Sequence, residues 1–238
     1  MTGMRMRPPL DATMLKLIAL VCMTLDHVGV FLLPDFMVLR MAGRLAFPIF
    51  AFFIAEGCDH TRHMARYLLA VLSVGMVCSS ASYLAEGSLY QSIMITFACS
   101  IGLILSLDRA RAALPVRVPA DGLWCAMFLM LLSACFLLFR MRIVPGLETD
   151  YGFWGVLTPV LAWLGGDMKR RLSGLAFGLA LVCIAPGGLP LGVQACSFLA
   201  LPLLSLYNGR RGEHSYRMFF YAYYPLHIAV LHGIGTLL

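Results

Sequence analysis

Charge is scarce in this 238-residue chain: 12 acidic and 18 basic side chains make up 13% of it, against roughly 25% in an average soluble domain. With 61% of its residues hydrophobic, it has too little polar surface to cover a globule of this size in water. A soluble enzyme, a disordered tail and a nucleic-acid-binding domain are therefore excluded. Closely spaced cysteines are missing as well. The eight cysteines (Cys22, Cys58, Cys78, Cys99, Cys125, Cys135, Cys183, Cys196) come no nearer in sequence than Cys125 and Cys135, and nearly all stand inside apolar runs. They read as small core residues, with no metal site and no disulfide framework. The sequence also lacks internal repeats, low-complexity tracts and any polar stretch long enough for a soluble domain.

What it has is a succession of apolar runs divided by charged or Pro/Gly-rich breaks, at 14-33, 38-57, 64-85, 91-107, 122-139, 152-166, 172-186, 189-207 and 216-236. These predict an all-α polytopic membrane protein, a single integral domain over 1-238 built as a bundle of about nine transmembrane helices. The runs at 152-166 and 172-186 are short for a bilayer that needs about 20 residues. Arg5, Arg7 and Lys16 before the first run imitate a signal peptide, but no small-residue cleavage site follows, so the run is expected to stay as the first membrane helix.

Nine spans place alternate loops on opposite sides. One side then collects Arg5, Arg7, Lys16, Arg62, Arg66, Arg109, Arg111, Arg117, Lys169, Arg170, Arg171, Arg210, Arg211 and Arg217, which is 14 of the 18 basic residues. The other holds Arg40, Arg140 and Arg142 together with Asp35, Glu86, Glu148 and Asp150. The asymmetry predicts a cytoplasmic N-terminus and an outside C-terminus.

Ionisable groups inside a membrane helix cost at least about 2.5 kcal/mol each, so they are either partnered or line a wet, functional cavity. The first run carries Asp26 and His27, the second Arg40 and Arg44 four residues apart on one helical face, and the last His227. At about 1.5 Å per residue, Asp26 stands roughly 18 Å and His227 roughly 16 Å above the cytoplasmic starts of their helices, with Arg44 within one turn of both. The plain reading is an Asp26–Arg44 ion pair pinning two helices. Two histidines at the same depth, two hundred residues apart, favour a site that exchanges protons. Pro48 and Pro225, close to this level, free backbone carbonyls and bend their helices. Glu56 is expected to line the site from below.

Lys169-Arg170-Arg171 and Asn208-Gly209-Arg210-Arg211 form compact clusters beside helix ends. They serve as orientation signals, or as a phosphate-binding rim for a coenzyme.

Leu15-Lys16-Leu17-Ile18-Ala19 through Met23-Thr24-Leu25-Asp26-His27-Val28-Gly29, then Arg40-Met41-Ala42-Gly43-Arg44-Leu45-Ala46-Phe47-Pro48-Ile49-Phe50, with Glu56-Gly57, resembles the opening of the TraX family of membrane proteins. The closing motifs of that family resemble Leu206-Tyr207-Asn208-Gly209-Arg210-Arg211-Gly212 and Phe219-Phe220-Tyr221-Ala222-Tyr223-Tyr224-Pro225-Leu226-His227, and the middle is similar through Tyr151-Gly152-Phe153-Trp154-Gly155. The Phe-Pro-x-Phe segment is also similar to membrane acetyltransferases that act on the terminal glucosamine of heparan sulfate.

The resemblance implies a membrane-bound acetyltransferase of the bacterial cytoplasmic membrane. It would move an acetyl group from cytoplasmic acetyl-CoA to an amine or hydroxyl, a pilin N-terminus or a glycan or small molecule, with no metal and no nucleic acid involved. Asp26, His27, Arg44 and His227 become the catalytic candidates; Lys169, Arg170, Arg171, Asn208, Arg210 and Arg211 the coenzyme-binding ones; and Arg40, Glu56 and Tyr224 the substrate-binding ones. In such a reaction a histidine is base or nucleophile, and Arg44 or Tyr224 serves the oxyanion. The competing class is a proton-coupled transporter with the buried Asp/His/Arg cluster as its ion pathway.

Overall fold

The computed structural model describes residues 8–113, 120–185, 190–212 and 216–237. Arg5, Arg7 and Arg117 of the charge pattern lie outside them. The described residues form eleven α-helices and no strand: α1 (Ala12–Phe31), α2 (Met37–Gly43), α3 (Ala46–His60), α4 (Met64–Glu86), α5 (Ile93–Ala113), α6 (Ala120–Phe139), α7 (Gly152–Leu164), α8 (Met168–Ile184), α9 (Leu191–Ala195), α10 (Ala200–Ser205) and α11 (Arg217–Gly235), with a 3-10 turn (Cys196–Leu199) joining α9 to α10.

Local chemistry sets several of the ends. The Asp11 side chain caps α1 by accepting from the Met14 N–H at 2.8 Å, and Asp167 caps α8 by accepting from the Arg170 N–H at 3.1 Å. Gly87, at φ +67°, closes α4 and donates its N–H back to the Tyr83 carbonyl at 2.9 Å.

Among the described residues five stretches are long and apolar enough to cross a membrane: Ala12–Phe31, Met37–His60, Met64–Glu86, Ile93–Ala112 and Gly122–Phe139. This is a helical membrane protein, and its outer surface agrees: Leu84, Ile184, Val38 and Leu123 are all strongly exposed, which hydrocarbon tolerates and water does not. Of the other four apolar runs of the sequence, 152-166 and 172-186 form helices of 13 and 17 residues, 189-207 is interrupted, and 216-236 forms the 19 residues of α11. The 13 residues of α7 reach only about 20 Å at helical rise.

Proline accounts for two interruptions. Pro48 has no N–H to offer the carbonyl four residues back, that of Arg44, and the run at 38-57 accordingly breaks between α2 and α3 at Arg44–Leu45. Pro202 withholds the same bond from Phe198, which lies in the 3-10 turn that splits 189-207.

The residues divide into two compact units, Met1–Phe53 with Gly187–Leu238, and Ile54–Pro186, the boundary falling inside α3. In the first, α1 packs against α2 and α11, and α2 also packs against α9 and the 3-10 turn. The N-terminal end of α1 is tied to the 206–211 loop: the Leu10 N–H donates to the Leu206 carbonyl at 3.1 Å, the Asn208 N–H to the Leu10 carbonyl at 2.8 Å, and the Ala12 N–H to the Arg210 carbonyl at 2.9 Å.

In the second unit α5 is central, packed on α4, α6 and α7, and the buried Ser100 hydroxyl of α5 donates to the Val156 carbonyl of α7 at 2.7 Å. The tightest pairing joins α7 to α8 through Gly174 and Gly178, a Gly-x-x-x-Gly spacing that lets two membrane helices approach closely. A Cβ on Gly174 would lie 2.2 Å from the Leu161 carbonyl oxygen, and one on Gly178 2.7 Å from the Thr158 hydroxyl. A Gly174→Leu variant is therefore expected to lose about 1–3 kcal/mol of stability through overpacking, read as a lower unfolding midpoint in detergent. An unchanged midpoint would mean that α7 and α8 do not pack through these glycines.

Candidate functional site

The charged residues of the first unit meet on one carboxylate. Asp26, on α1, is ion-paired to Arg44 at the α2–α3 break and to Arg40 on α2, whose Nη1 stands 3.1 Å from Asp26 Oδ2 and 3.4 Å from the Asp26 carbonyl oxygen. Arg44 is buried. The approach is possible because α2 presents Gly43 to this point, where a Cβ would fall 2.3 Å from Asp26 Cβ. One carboxylate against two guanidiniums leaves a net positive charge of one, the sign needed to hold an anionic oxygen.

The next residue of α1, His27, faces α11. Its Nδ1 lies 2.9 Å from His227 Nε2, and His227 Nδ1 lies 2.9 Å from the Tyr223 carbonyl oxygen. These contacts fix the tautomers of the neutral pair. A carbonyl can only accept, so His227 Nδ1 carries the hydrogen; its Nε2 then holds a lone pair and accepts from His27 Nδ1–H. The lone pair of His27 is thereby placed on Nε2. Arg40 and Arg44 also bear electrostatically on His27.

Aromatic rings frame the pair. Tyr223 stacks on His227 at 5.0 Å between centroids, Phe31 stacks on His27 at 6.2 Å, and His232 meets Phe31 edge-on at 5.7 Å. The Tyr223 hydroxyl is hydrogen-bonded to that of Thr24 at 2.8 Å, and Thr24 donates to the Leu20 carbonyl. Of the residues proposed from sequence, Asp26, His27, Arg40, Arg44 and His227 come together here. Tyr224 is buried, its ring tilted edge-on to His227 with 5.7 Å between centroids. Sequence reading passed over Thr24 and Tyr223, although Tyr223 is four residues before His227 and Thr24 three before His27, the helical spacings that put each on its histidine's face.

Glu56 and Arg171 belong to a different cluster, within the second unit. The guanidinium of Arg171 is buried and ion-paired to both Glu56 and Asp59, and its Nη2 also donates to the Gly166 carbonyl at 3.2 Å. His60 Nδ1 lies 2.9 Å from the Glu56 carbonyl oxygen. Arg171 is thus no part of an exposed rim. Successive helical residues point about 100° apart, so Lys169, Arg170 and Arg171 cannot share a face, and the third turns inward. Lys169 and Arg170 are exposed, the latter 3.4 Å from Asp167. In the first unit Arg210 and Arg211 are exposed, and Asn208 Oδ1 accepts from the Arg210 N–H at 2.8 Å. Among the described residues no cluster of His, Cys, Asp and Glu could hold a metal ion.

The asymmetry around Asp26 orders its variants. Arg44→Gln leaves Arg40 to neutralise the carboxylate, whereas Asp26→Asn leaves two cations facing each other. Asp26→Asn is expected to cost about 3–5 kcal/mol, as for one partner of a buried pair, Arg44→Gln less, and the double variant less than Asp26→Asn alone. Unfolding midpoints of the three detergent-purified proteins check that order, and equal losses from all three would refute it.

A family model described as TraX protein matches residues 11–235. A probable fimbrial assembly protein of Dichelobacter nodosus, FimC of serogroup H1, is 30% identical over 238 residues, covering 93% of this chain and 94% of that protein. An uncharacterized protein of Rickettsia prowazekii is 45% identical over 40 residues, 17% of this chain and 16% of its own length. No solved structure matches. On the match over residues 11–235, and with a relative similar along nearly its whole length, this chain belongs to the TraX family.

Proposed function

We propose that the chain is an acetyl-CoA-dependent acetyltransferase of the bacterial cytoplasmic membrane whose acceptor is an amine or hydroxyl, a pilin N-terminus being the acceptor in keeping with its fimbrial assembly relative. The observation that carries the reading is the contact of His27 with His227 beside a carboxylate that two guanidiniums outnumber. It supplies a neutral base, a group that orients the base, and a positive field, which are the three requirements of acyl transfer.

In this mechanism His27 Nε2 takes a proton from the acceptor as its nitrogen or oxygen attacks the thioester carbonyl. The oxyanion of the tetrahedral intermediate lies in the field of Arg40 and Arg44. Collapse breaks the C–S bond, and the departing thiolate recovers the proton from His27, giving the acetylated product and free CoA. His227 holds the His27 ring and shares the positive charge while the proton is borrowed. Coenzyme A carries phosphates that stay at a basic surface, for which the candidates are exposed Arg210 and Arg211 with Asn208 in the first unit, or exposed Lys169 and Arg170 in the second. Arg171 is committed to its two carboxylates.

The orientation proposed with this reading has the N-terminus cytoplasmic and the C-terminus outside, by the excess of Lys and Arg on one set of loops. It requires an odd number of crossings, which about nine spans provide. Reporter fusions at the two ends are expected to report opposite sides; both on one side would remove the cytoplasmic entry of the donor.

Purified protein given acetyl-CoA is expected to release CoA only when an acceptor such as an unacetylated pilin peptide is present. His27→Ala and His227→Ala should each lose about 10²-fold or more in rate, the usual yield of general acid–base catalysis, with little change in coenzyme binding. Acceptor-independent release at equal rates in the wild type and both variants would refute the transferase and leave proton-coupled transport as the better account.

A further inference from the structure

The broken segment Leu191–Ser205 holds a feature that neither the charge cluster nor the histidine pair uses. Its buried residues are Val193, Gln194, Ser197, Ala200 and Leu204, which from Gln194 onward recur every three or four residues, as one face of a helix does. Two of the five are polar. Gln194 is 4% exposed and Ser197 fully buried, yet the Gln194 side-chain nitrogen and the Ser197 hydroxyl have no hydrogen-bond partner among the described residues.

This is costly, since a buried polar group without a partner loses about 1–3 kcal/mol. Several helical hydroxyls of the chain avoid this cost by turning back to the carbonyl one turn earlier: Thr24 to Leu20 at 2.9 Å, Ser100 to Thr96 at 2.9 Å, Thr158 to Trp154 at 2.8 Å and Ser173 to Lys169 at 3.1 Å, whereas the buried Ser79 of α4, like Ser197, has no partner among the described residues. Ser197 makes no such bond to Val193, because the backbone there has tightened into the 3-10 turn. Gln194, in α9, and Ser197, in the turn, are three residues apart, the spacing that puts two side chains on one helical face, and both are buried. The helix packed against α9 and the turn is α2, which carries Arg40 and Gly43 and leads into Arg44. Discontinuous membrane helices with unsatisfied polar groups are where substrates bind in other membrane folds.

We infer that Gln194 and Ser197 form a subsite for a secondary amide group of the substrate, beside the Asp26–Arg40–Arg44 cluster. The Gln194 amide N–H donates to the substrate carbonyl, and the Ser197 hydroxyl, donor and acceptor at once, takes its N–H. A neutral, amide-reading pair complements the arginines, which attract anionic oxygen. Two sources carry this group: the pantetheine arm of the acetyl donor and the backbone of a peptide acceptor. The inference rests on the transferase reading for which of these arrives, but not for the existence of the subsite.

The test uses full-length protein in detergent and two probes, pantetheine and a short peptide with a free N-terminal amine, with Gln194→Met and Ser197→Ala. Methionine keeps the length of glutamine and removes the orphan donors, so ligand-free Gln194→Met is expected to unfold at the same temperature as wild type or higher. At least one probe should raise the wild-type midpoint, and its apparent affinity should fall about 3- to 10-fold in each variant, the equivalent of one lost hydrogen bond. Loss confined to pantetheine assigns the subsite to the donor arm, and loss confined to the peptide assigns it to the acceptor.

The inference is overturned if neither probe stabilises the wild type, or if both variants keep wild-type affinity for both probes. If Gln194→Met fails to fold, Ser197→Ala decides by the same affinity criterion. Absence of CoA release with every acceptor would sink the transferase reading while the probe shifts still judged the subsite; turnover with unchanged KM and probe affinity in both variants would sink the subsite alone.

Discussion

Asp26 is the constraint around which the first unit is arranged. A carboxylate inside a membrane helix cannot be left alone, because hydrocarbon offers neither water nor counterion. Its neutralisation requires α2 to come within reach, which requires a residue without a side chain at the crossing, and Gly43 stands there with no room for a Cβ. The second cation, Arg44, lies where Pro48 has interrupted the helix: its N–H still donates to the Arg40 carbonyl at 3.2 Å, but its own carbonyl receives no N–H from Pro48, at the point where its guanidinium must turn to α1. Substituting Gly43, Pro48 or either arginine therefore disturbs the same contact by a different route.

That arrangement determines what His27 can do. Asp26 and His27 are neighbours in sequence, and a catalytic Asp–His pair is the obvious reading. Neighbours on a helix point about 100° apart, however, and the carboxylate is already held by two arginines. The acceptor for His27 Nδ1–H is a second histidine supplied by α11, neutral where a carboxylate would be charged. An aspartate in that position would add negative charge beside the field of Arg40 and Arg44. A neutral partner leaves the field intact for an oxyanion.

Much of this could be read from the residues, and the reasons are geometric. Rise per residue is fixed in a helix, so counting from two helix ends brought His27 and His227 to one level, and their rings touch. The rule that buried charges need partners joined Asp26 to Arg44. Rotation about the helix axis was the harder quantity. The compact triplet Lys169-Arg170-Arg171 concealed one inward-facing member, committed to Glu56 and Asp59, which a wheel drawn through residue 171 would have exposed. Tyr223 and not Tyr224 stacks on His227, as a spacing of four residues dictates. The glycine pair of α8 was legible as a motif and unread as one. Gln194 and Ser197 were not legible, because their burial and lack of partners depend on a 3-10 turn whose position follows from Pro202 and from the packing of the segment on α2.

The path open to the proton separates transfer chemistry from transport. When His27 Nε2 gains a proton, its Nδ1–H can pass to His227 Nε2, and His227 Nδ1–H points at the Tyr223 carbonyl. There the relay stops, since a carbonyl oxygen has no hydrogen to hand on. The Tyr223 hydroxyl is no continuation, being bonded to Thr24, which returns to the Leu20 carbonyl of its own helix. A proton entering at His27 can be shared over two rings but leaves by the way it came. Proton-coupled transport needs acceptors that alternate between two faces of the membrane, whereas acyl transfer needs a base that borrows a proton from the acceptor and gives it to the leaving thiolate on the same side of the same ring. A two-histidine relay ending on a backbone carbonyl suits the second task, and this is why the transferase reading is preferred for a cluster of charges that, by composition alone, would serve either.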